Sequence, residues 1–225
     1  ANALSEKHTI TALAMTQTGK DKPFFELSPN VKFLHKNHCY ERTKSIWHRI
    51  ARAFYISRTK RHRCDQQYTD PIWAKMIRPV IVKEEPDIII AYSLDLARVC
   101  LHTLSVECPV IIMFHQSARS ILNCLTLEDR EILEKAASVQ VLMPSDVSFV
   151  EKRVRCRNII CIPNTVKISG YTSALSNHKI IHVGRVSESD KRQHILIEAF
   201  HLLQDDFPDW KVEFWGEISE QNPYA

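Results

Sequence analysis

The stretch Glu84 to Leu104, EEPDIIIAYSLDLARVCLHTL, constrains the fold more than any other part of the chain. Pro86 stops any helix arriving from its N-terminal side. Asp87 to Tyr92 is a continuous apolar run of strand length, the pattern of a parallel-sheet strand covered on both faces, and Leu94 to Leu104 carries the periodicity of its return helix. A parallel strand cannot pair through a tight turn, so a unit of this kind demands others like it. They are present. His8 to Met15, Val31 to Leu34, Pro109 to Phe114, Val139 to Met143 and Asn158 to Ile162 read as further strands. Between them lie helical patterns at Ser45 to Ser57, Ile72 to Glu85 (interrupted by Pro79), Leu127 to Ala136 and Asp146 to Arg155, with Ala1 to Ser5 as the last turn of another helix.

This alternation predicts a Rossmann-like α/β domain over residues 1–166 that lacks its first strand. The segment KISGYTSALSN, residues 167–177, loses the periodicity and reads as a linker. Residues 178–225 then open a second Rossmann-like domain with one β-α-β unit.

With 44% hydrophobic and 25% charged residues the chain has the composition of an ordinary folded protein. No apolar run approaches the roughly 20 residues of a membrane helix, and the N-terminus has no signal-peptide pattern, so a cytoplasmic protein is expected, at most resting on the inner face of a membrane. The seven cysteines are scattered, with no CxxC pair and no metal-ligand spacing, and read as reduced thiols with no metal site.

The net charge of +4 is concentrated. Between Glu41 and Arg63 one acid faces eight Lys or Arg, Arg42, Lys44, Arg49, Arg52, Arg58, Lys60, Arg61 and Arg63, which points to an anionic partner. Within that stretch Ile46, Trp47, Ile50, Ala53 and Phe54 share one helix face. The expected arrangement packs this stripe on the sheet and leaves the arginines in solvent. The alternative lays the helix on an anionic bilayer.

Ligands of open parallel sheets sit beyond the carboxyl ends of the strands, which selects Tyr92-Ser93, His115-Gln116, Pro144-Ser145 and Gly184-Arg185 with Lys191. Gly184 permits close backbone approach, and Arg185 and Lys191 could clamp a diphosphate from two sides, one as a bidentate fork and one as a mobile point charge. Alternatively, Arg185 pairs with Glu188 or Asp190, and Lys191 only begins a solvated helix. For His115 the alternative is a satisfied structural histidine, for Asn164 a turn residue. Ser145 is expected to cap the helix that follows it, the alternative being donation to a ligand.

The segment KIIHVGRVSESDKRQHILIEAFHLLQDDFPDWKVEFWGE resembles the start of the C-terminal domain of the group 1, family 4 retaining glycosyltransferases of the GT-B fold. Strand, Gly-Arg, short loop, Lys, LIxAF-type helix, Pro-containing turn and strand ending in Gly follow in that family's order. PDIIIAYSLDLA, PVIIMFHQSA, VQVLMPSDVSFVEK and IICIPNTV resemble the later part of its N-terminal domain.

The resemblance implies transfer of a sugar, with retention, from a nucleotide-sugar donor to a saccharide or lipid-linked acceptor, in polysaccharide, lipopolysaccharide or other glycan biosynthesis. It implies that Arg185 and Lys191 bind the donor diphosphate without an obligatory metal or other cofactor, that Gly184 and Gly216 belong to the donor-binding loops, and that His115 lies near the reacting sugar. Asn164 falls at the hinge between domains.

The sequence also departs from the family. Its Gly-rich first loop and its later acidic motif have no counterpart here, Glu217-Ile218 lacks the second glycine expected after Gly216, and Lys167 stands where an Asp is common. The chain is therefore expected to be a fragment, weakly active or inactive alone, and to cover its open surfaces as a homodimer. Among competing classes, a basic module binding nucleic acid lacks any recognised motif, so no nucleic-acid partner is expected. A dinucleotide-binding dehydrogenase lacks GxGxxG, since the only glycines are Gly19, Gly170, Gly184 and Gly216.

Overall fold

A computed structural model describes residues 1–16, 23, 25–37, 46–55, 58–123, 125–165, 170–174, 176–187 and 191–217. Two compact units divide the chain, Ala1–Thr165 and Val166–Ala225. The first opens with a 3₁₀ turn, Leu4–Glu6, where a helix end is expected, and continues into strand β1, Ile10–Thr16, which pairs in parallel with β2, Val31–Asn37. Helices α1, Ile46–Ala53, and α2, Arg58–Glu84, follow. Four strands, β3 (Ile89–Ala91), β4 (Val110–Met113), β5 (Ser138–Val141) and β6 (Ile159–Cys161), then form one parallel sheet in sequential order. Their crossovers are α3 (Leu94–Arg98, running on as a π turn, Val99–Thr103), α4 (Ala118–Leu122) with α5 (Leu127–Lys135), and α6 (Pro144–Glu151). The second unit pairs β7, Lys179–Val183, in parallel with β8, Lys211–Trp215, across helix α7, Gln193–His201. The chain is thus a parallel α/β protein of Rossmann-like build, as its alternation predicts.

Sequential order has a consequence for burial. Right-handed crossovers that always step in one direction put their helices on one face of the sheet. That face carries Ala91, Val110, Ile112, Val139 and Val141, all buried against Leu133, Ala118 and Val150 in the main core. Each of its larger side chains contributes about 1.5–3 kcal/mol by leaving water. On the other face β5 is still buried, with Ser138 6% and Gln140 2% exposed, but the edge strand β3 is open: Ile90 is 41% exposed, and the adjoining Ile88 and Tyr92 are 55% and 58% exposed. The expectation that Asp87 to Tyr92 is covered on both faces is therefore corrected. An unbroken apolar run reports strand length but not how many layers lie against it.

Helix α2 also differs from expectation. It runs unbroken through Pro71 and Pro79. Both prolines are exposed, as are Gln67 and Lys75, whose carbonyls lose an amide partner to the rings, so water can solvate what the helix does not. Its inner stripe changes character along its length. Ala74 and Ile77 pack with Leu13, Met15 and Val99, whereas Gln66, Thr69 and Asp70 are buried polar groups nearer its start. At its last turn Glu84 accepts from Thr11 Oγ1 at 3.0 Å and pairs with Lys32, fastening β1 and β2 to the helix.

The polar half of α2 meets Arg98, which is 2% exposed. The guanidinium grips Asp70 with two bonds, Nε at 2.7 Å and Nη2 at 2.9 Å, and extends Nη1 to Asp95 at 2.9 Å and Asp129 at 3.2 Å. Asp129 closes a reciprocal cap with Thr126 at the start of α5. Ser145 caps nothing. It lies inside α6, whose N-cap is Met143 with no side-chain cap, because Pro144 already starts the helix.

Candidate active site

The sequence-selected residues fall into the two units. In the second, β7 ends at Gly184 and β8 at Gly216, and the parallel ladder continues past both strands, with Gly184 N–H donating to the Trp215 carbonyl at 2.8 Å and Val186 N–H to Glu217 at 3.0 Å. The two glycines stand backbone to backbone. A Cβ on Gly216 would lie 2.0 Å from the Gly184 carbonyl oxygen and 3.2 Å from the Arg185 nitrogen. Gly216 is therefore a requirement of close approach, the role that the sequence suggests for Gly184.

Gly184 instead supplies a bare floor. The point where its Cβ would stand is 3.7 Å from Lys191 Cδ and 3.8 Å from Cε, so the lysine stem lies across it. Lys191 N–H and Arg192 N–H both donate to the Ser187 carbonyl, at 3.2 and 2.8 Å, and Arg192 takes a left-handed φ of 49°. Arg185 and Lys191 are both exposed at this rim. Glu188 and Asp190, the alternative partners for Arg185, lie outside the described residues.

One residue without a signal in the sequence holds the loop in shape. Gln193, 7% exposed at the first position of α7, accepts from Ser187 N–H at 3.1 Å and donates to the Arg185 carbonyl at 2.8 Å. Its amide spans the loop as a backbone strand would. In the sequence it is one more polar residue between Arg192 and His194. Gln193→Ala is expected to raise the amide exchange rate of Ser187 about tenfold or more, since it removes a bond that closes the loop. An unchanged rate would show that the bridge does not hold it.

In the first unit His115, exposed just beyond β4, stacks on Tyr92, just beyond β3, with ring centroids 5.0 Å apart and planes 5° from parallel. Strands β3 and β4 pair and end at the same edge, with Ala91 opposite Ile112, and His115 reaches the Tyr92 ring from beyond the paired residues, where offset stacking favours the pair. The stack fixes the orientation of the imidazole at the carboxyl edge of the sheet, where Met143 is also 59% exposed. Ser93, beside Tyr92, is a helix cap, its hydroxyl accepting from Leu96 N–H at 3.2 Å. Asn164 is exposed beyond β6.

The geometry thus assembles Gly184, Lys191 and Gly216 directly, with Arg185 adjoining them, and gives His115 a partner within its own unit. Among the described residues no group of three His, Cys, Asp or Glu side chains is placed to hold a metal ion. Nor is any described helix long and apolar enough to cross a membrane.

No known protein family matches this sequence, and no curated protein matches it. Twelve chains of known structure do match. One is a sucrose-phosphate synthase from Thermosynechococcus elongatus, with a TM-score of 0.60 and 13% identity, over 97% of this chain and 63% of that one. At that identity the likeness shows a shared fold, a parallel-stranded α/β architecture. The present chain spans under two thirds of that protein's length.

Proposed function

We propose that this chain belongs to a glycosyltransferase of the retaining, family 4 kind, using a nucleotide-sugar donor and a saccharide or lipid-linked acceptor in glycan assembly at the cytoplasmic side of a membrane. The observation that carries this reading is the rim of the second unit, where two abutting glycines lay the backbone bare and Lys191 crosses Gly184 beside Arg185. Likeness of fold to a sucrose-phosphate synthase supports it. So does the order of motifs along the chain.

The chemistry is consistent with these residues. When the bond from the sugar anomeric carbon to the diphosphate oxygen breaks, negative charge grows on the leaving nucleoside diphosphate, and Arg185 and Lys191 offset it. Cations already present at the rim need less reorganisation than ions drawn from solvent, and the reading accordingly calls for no metal in this step. This reading gives His115, whose ring stacks on Tyr92, a role beside the transferring sugar. The acceptor hydroxyl oxygen then bonds to the anomeric carbon on the face the diphosphate left, and its proton passes to the departing diphosphate oxygen.

Binding provides the test. A nucleotide-sugar that engages the native chain should raise its melting temperature, by about 2.7 kcal/mol of added stability at a hundred times its dissociation constant. Arg185→Ala and Lys191→Ala should each abolish most of that rise. If no nucleotide-sugar shifts the transition, or if the shift survives both substitutions, the reading is wrong.

A further inference from the structure

Helix α1 is docked by the face that sequence reasoning assigns to solvent. His48, 6% exposed, stacks on Tyr68 of α2 at 4.5 Å and approaches Asp65 at 3.1 Å, while Arg52, one turn on, donates from Nε to the same carboxylate at 3.0 Å. On a helix, residues at this spacing lie opposite Ile50 and Phe54. Those two accordingly point away, 42% and 80% exposed, with Tyr55 after them at 40%. The expected packing of the apolar stripe on the sheet is corrected at Ile50 and Phe54: a polar seam with Asp65 and Tyr68 holds the helix and leaves these two uncovered.

We propose that this outward face docks in the plane of an anionic lipid bilayer, with Ile50 and Phe54 entering the headgroup boundary and the surrounding cations meeting lipid phosphates. Arg49 is exposed on the same helix, Lys60 and Arg61 are exposed near the start of α2, with Arg61 donating to the Tyr55 carbonyl, and residues 42–64 contain no acid to oppose them. The acids that do approach, Asp65 and Glu128, are taken up by Arg52 and by Arg63. An amphipathic helix of this type, with a large contrast between faces and basic residues beside aromatic ones, is an interfacial rather than a spanning element. A second copy of the chain is a poor occupant, since facing stripes would set cation against cation. A nucleic acid would use the charges but leave Ile50 and Phe54 in water. The proposal does not depend on the sugar-transfer reading.

Flotation with vesicles tests it. The chain should bind phosphatidylcholine vesicles containing about one-third phosphatidylglycerol, should not bind phosphatidylcholine alone, and should release as salt rises past the point where charges are screened. Ile50→Ser with Phe54→Ser should weaken binding about tenfold or more, since both side chains lose apolar burial in the bilayer. The melting temperature should be unchanged, because neither residue is buried in the protein. Arg49→Gln with Lys60→Gln should also weaken it, through charge. Four results would overturn the proposal: no binding to the anionic vesicles, equal binding to neutral ones, binding that survives Ile50→Ser with Phe54→Ser, or preference for a single-stranded oligonucleotide over the anionic vesicles.

Discussion

Arg98→Ala is expected to destabilise the first unit by about 3–5 kcal/mol, the range found when one partner of a buried ion pair is removed. The substitution deletes the cation that Asp70, Asp95 and Asp129 share and leaves two of these carboxylates almost out of water. Asp70 loses both of its bonds from Arg98, at 2.7 and 2.9 Å. Asp129 keeps its bonds from Thr126 N–H and Oγ1, at 2.9 and 2.8 Å, but its charge has no counterion. Burial alone would lower the pKa of Arg98, yet the hydrogen bond to Asp70 and the charges of Asp95 and Asp70 outweigh it and raise the pKa. The group therefore stays charged at every pH at which the protein folds. Arg98→Lys should fall between wild type and alanine, because an ammonium keeps the charge but cannot make the two-pronged grip on Asp70. Urea unfolding followed by amide exchange in β3 to β5 measures this. A loss under about 1 kcal/mol for alanine would mean that the carboxylates are solvated or protonated instead.

A second large effect is expected at the end of β8. In Gly216→Ala the new methyl carbon would stand 2.0 Å from the Gly184 carbonyl oxygen and 2.6 Å from its carbon, and both atoms are backbone. No rotamer change can relieve the clash, so the strands must part at their carboxyl ends. The bonds from Gly184 N–H to Trp215 and from Val186 N–H to Glu217 go with them. A loss above the usual 1–3 kcal/mol of overpacking is expected, about enough to unfold a unit whose described residues form two strands and one helix. Gly184→Ala is the control. Its methyl would meet nothing closer than His182 Cε1 at 3.6 Å, an ordinary contact, and its cost should stay near or below about 1 kcal/mol. Amide exchange across β7 and β8 distinguishes the two, and equal effects would refute the backbone-contact argument.

The contrast shows what the sequence could and could not convey about the rim. Gly-Arg after a strand and a lysine across a short loop are local signals, and the structure sets Lys191 over Gly184 accordingly. Which of the two glycines is sterically obligatory was not legible, because it depends on how closely β7 and β8 run beside each other. Gln193 was invisible for a related reason: an amide bridging two backbone groups has no pattern of its own. Tyr92 was selected only as a post-strand residue, and its stack on His115 joins residues that follow two different strands and share no local pattern.

Arg98 and helix α1 show the same limit in packing. Arg98 reads as one of many helix charges, and its main partners stand 28 and 31 residues away. The periodicity of α1 established that one face is apolar, but not which face would find a neighbour.

Periodicity, prolines and chain order by themselves determined the alternation of strands and helices, hence the parallel α/β class, because each of those signals acts within a few residues. Tertiary structure alone decided which sheet face is covered, which carboxylates surround Arg98, and which side of α1 meets α2. Those outcomes rest on contacts between separate segments, where a stacked histidine and one shared aspartate hold the helix while Ile50 and Phe54 stay in solvent.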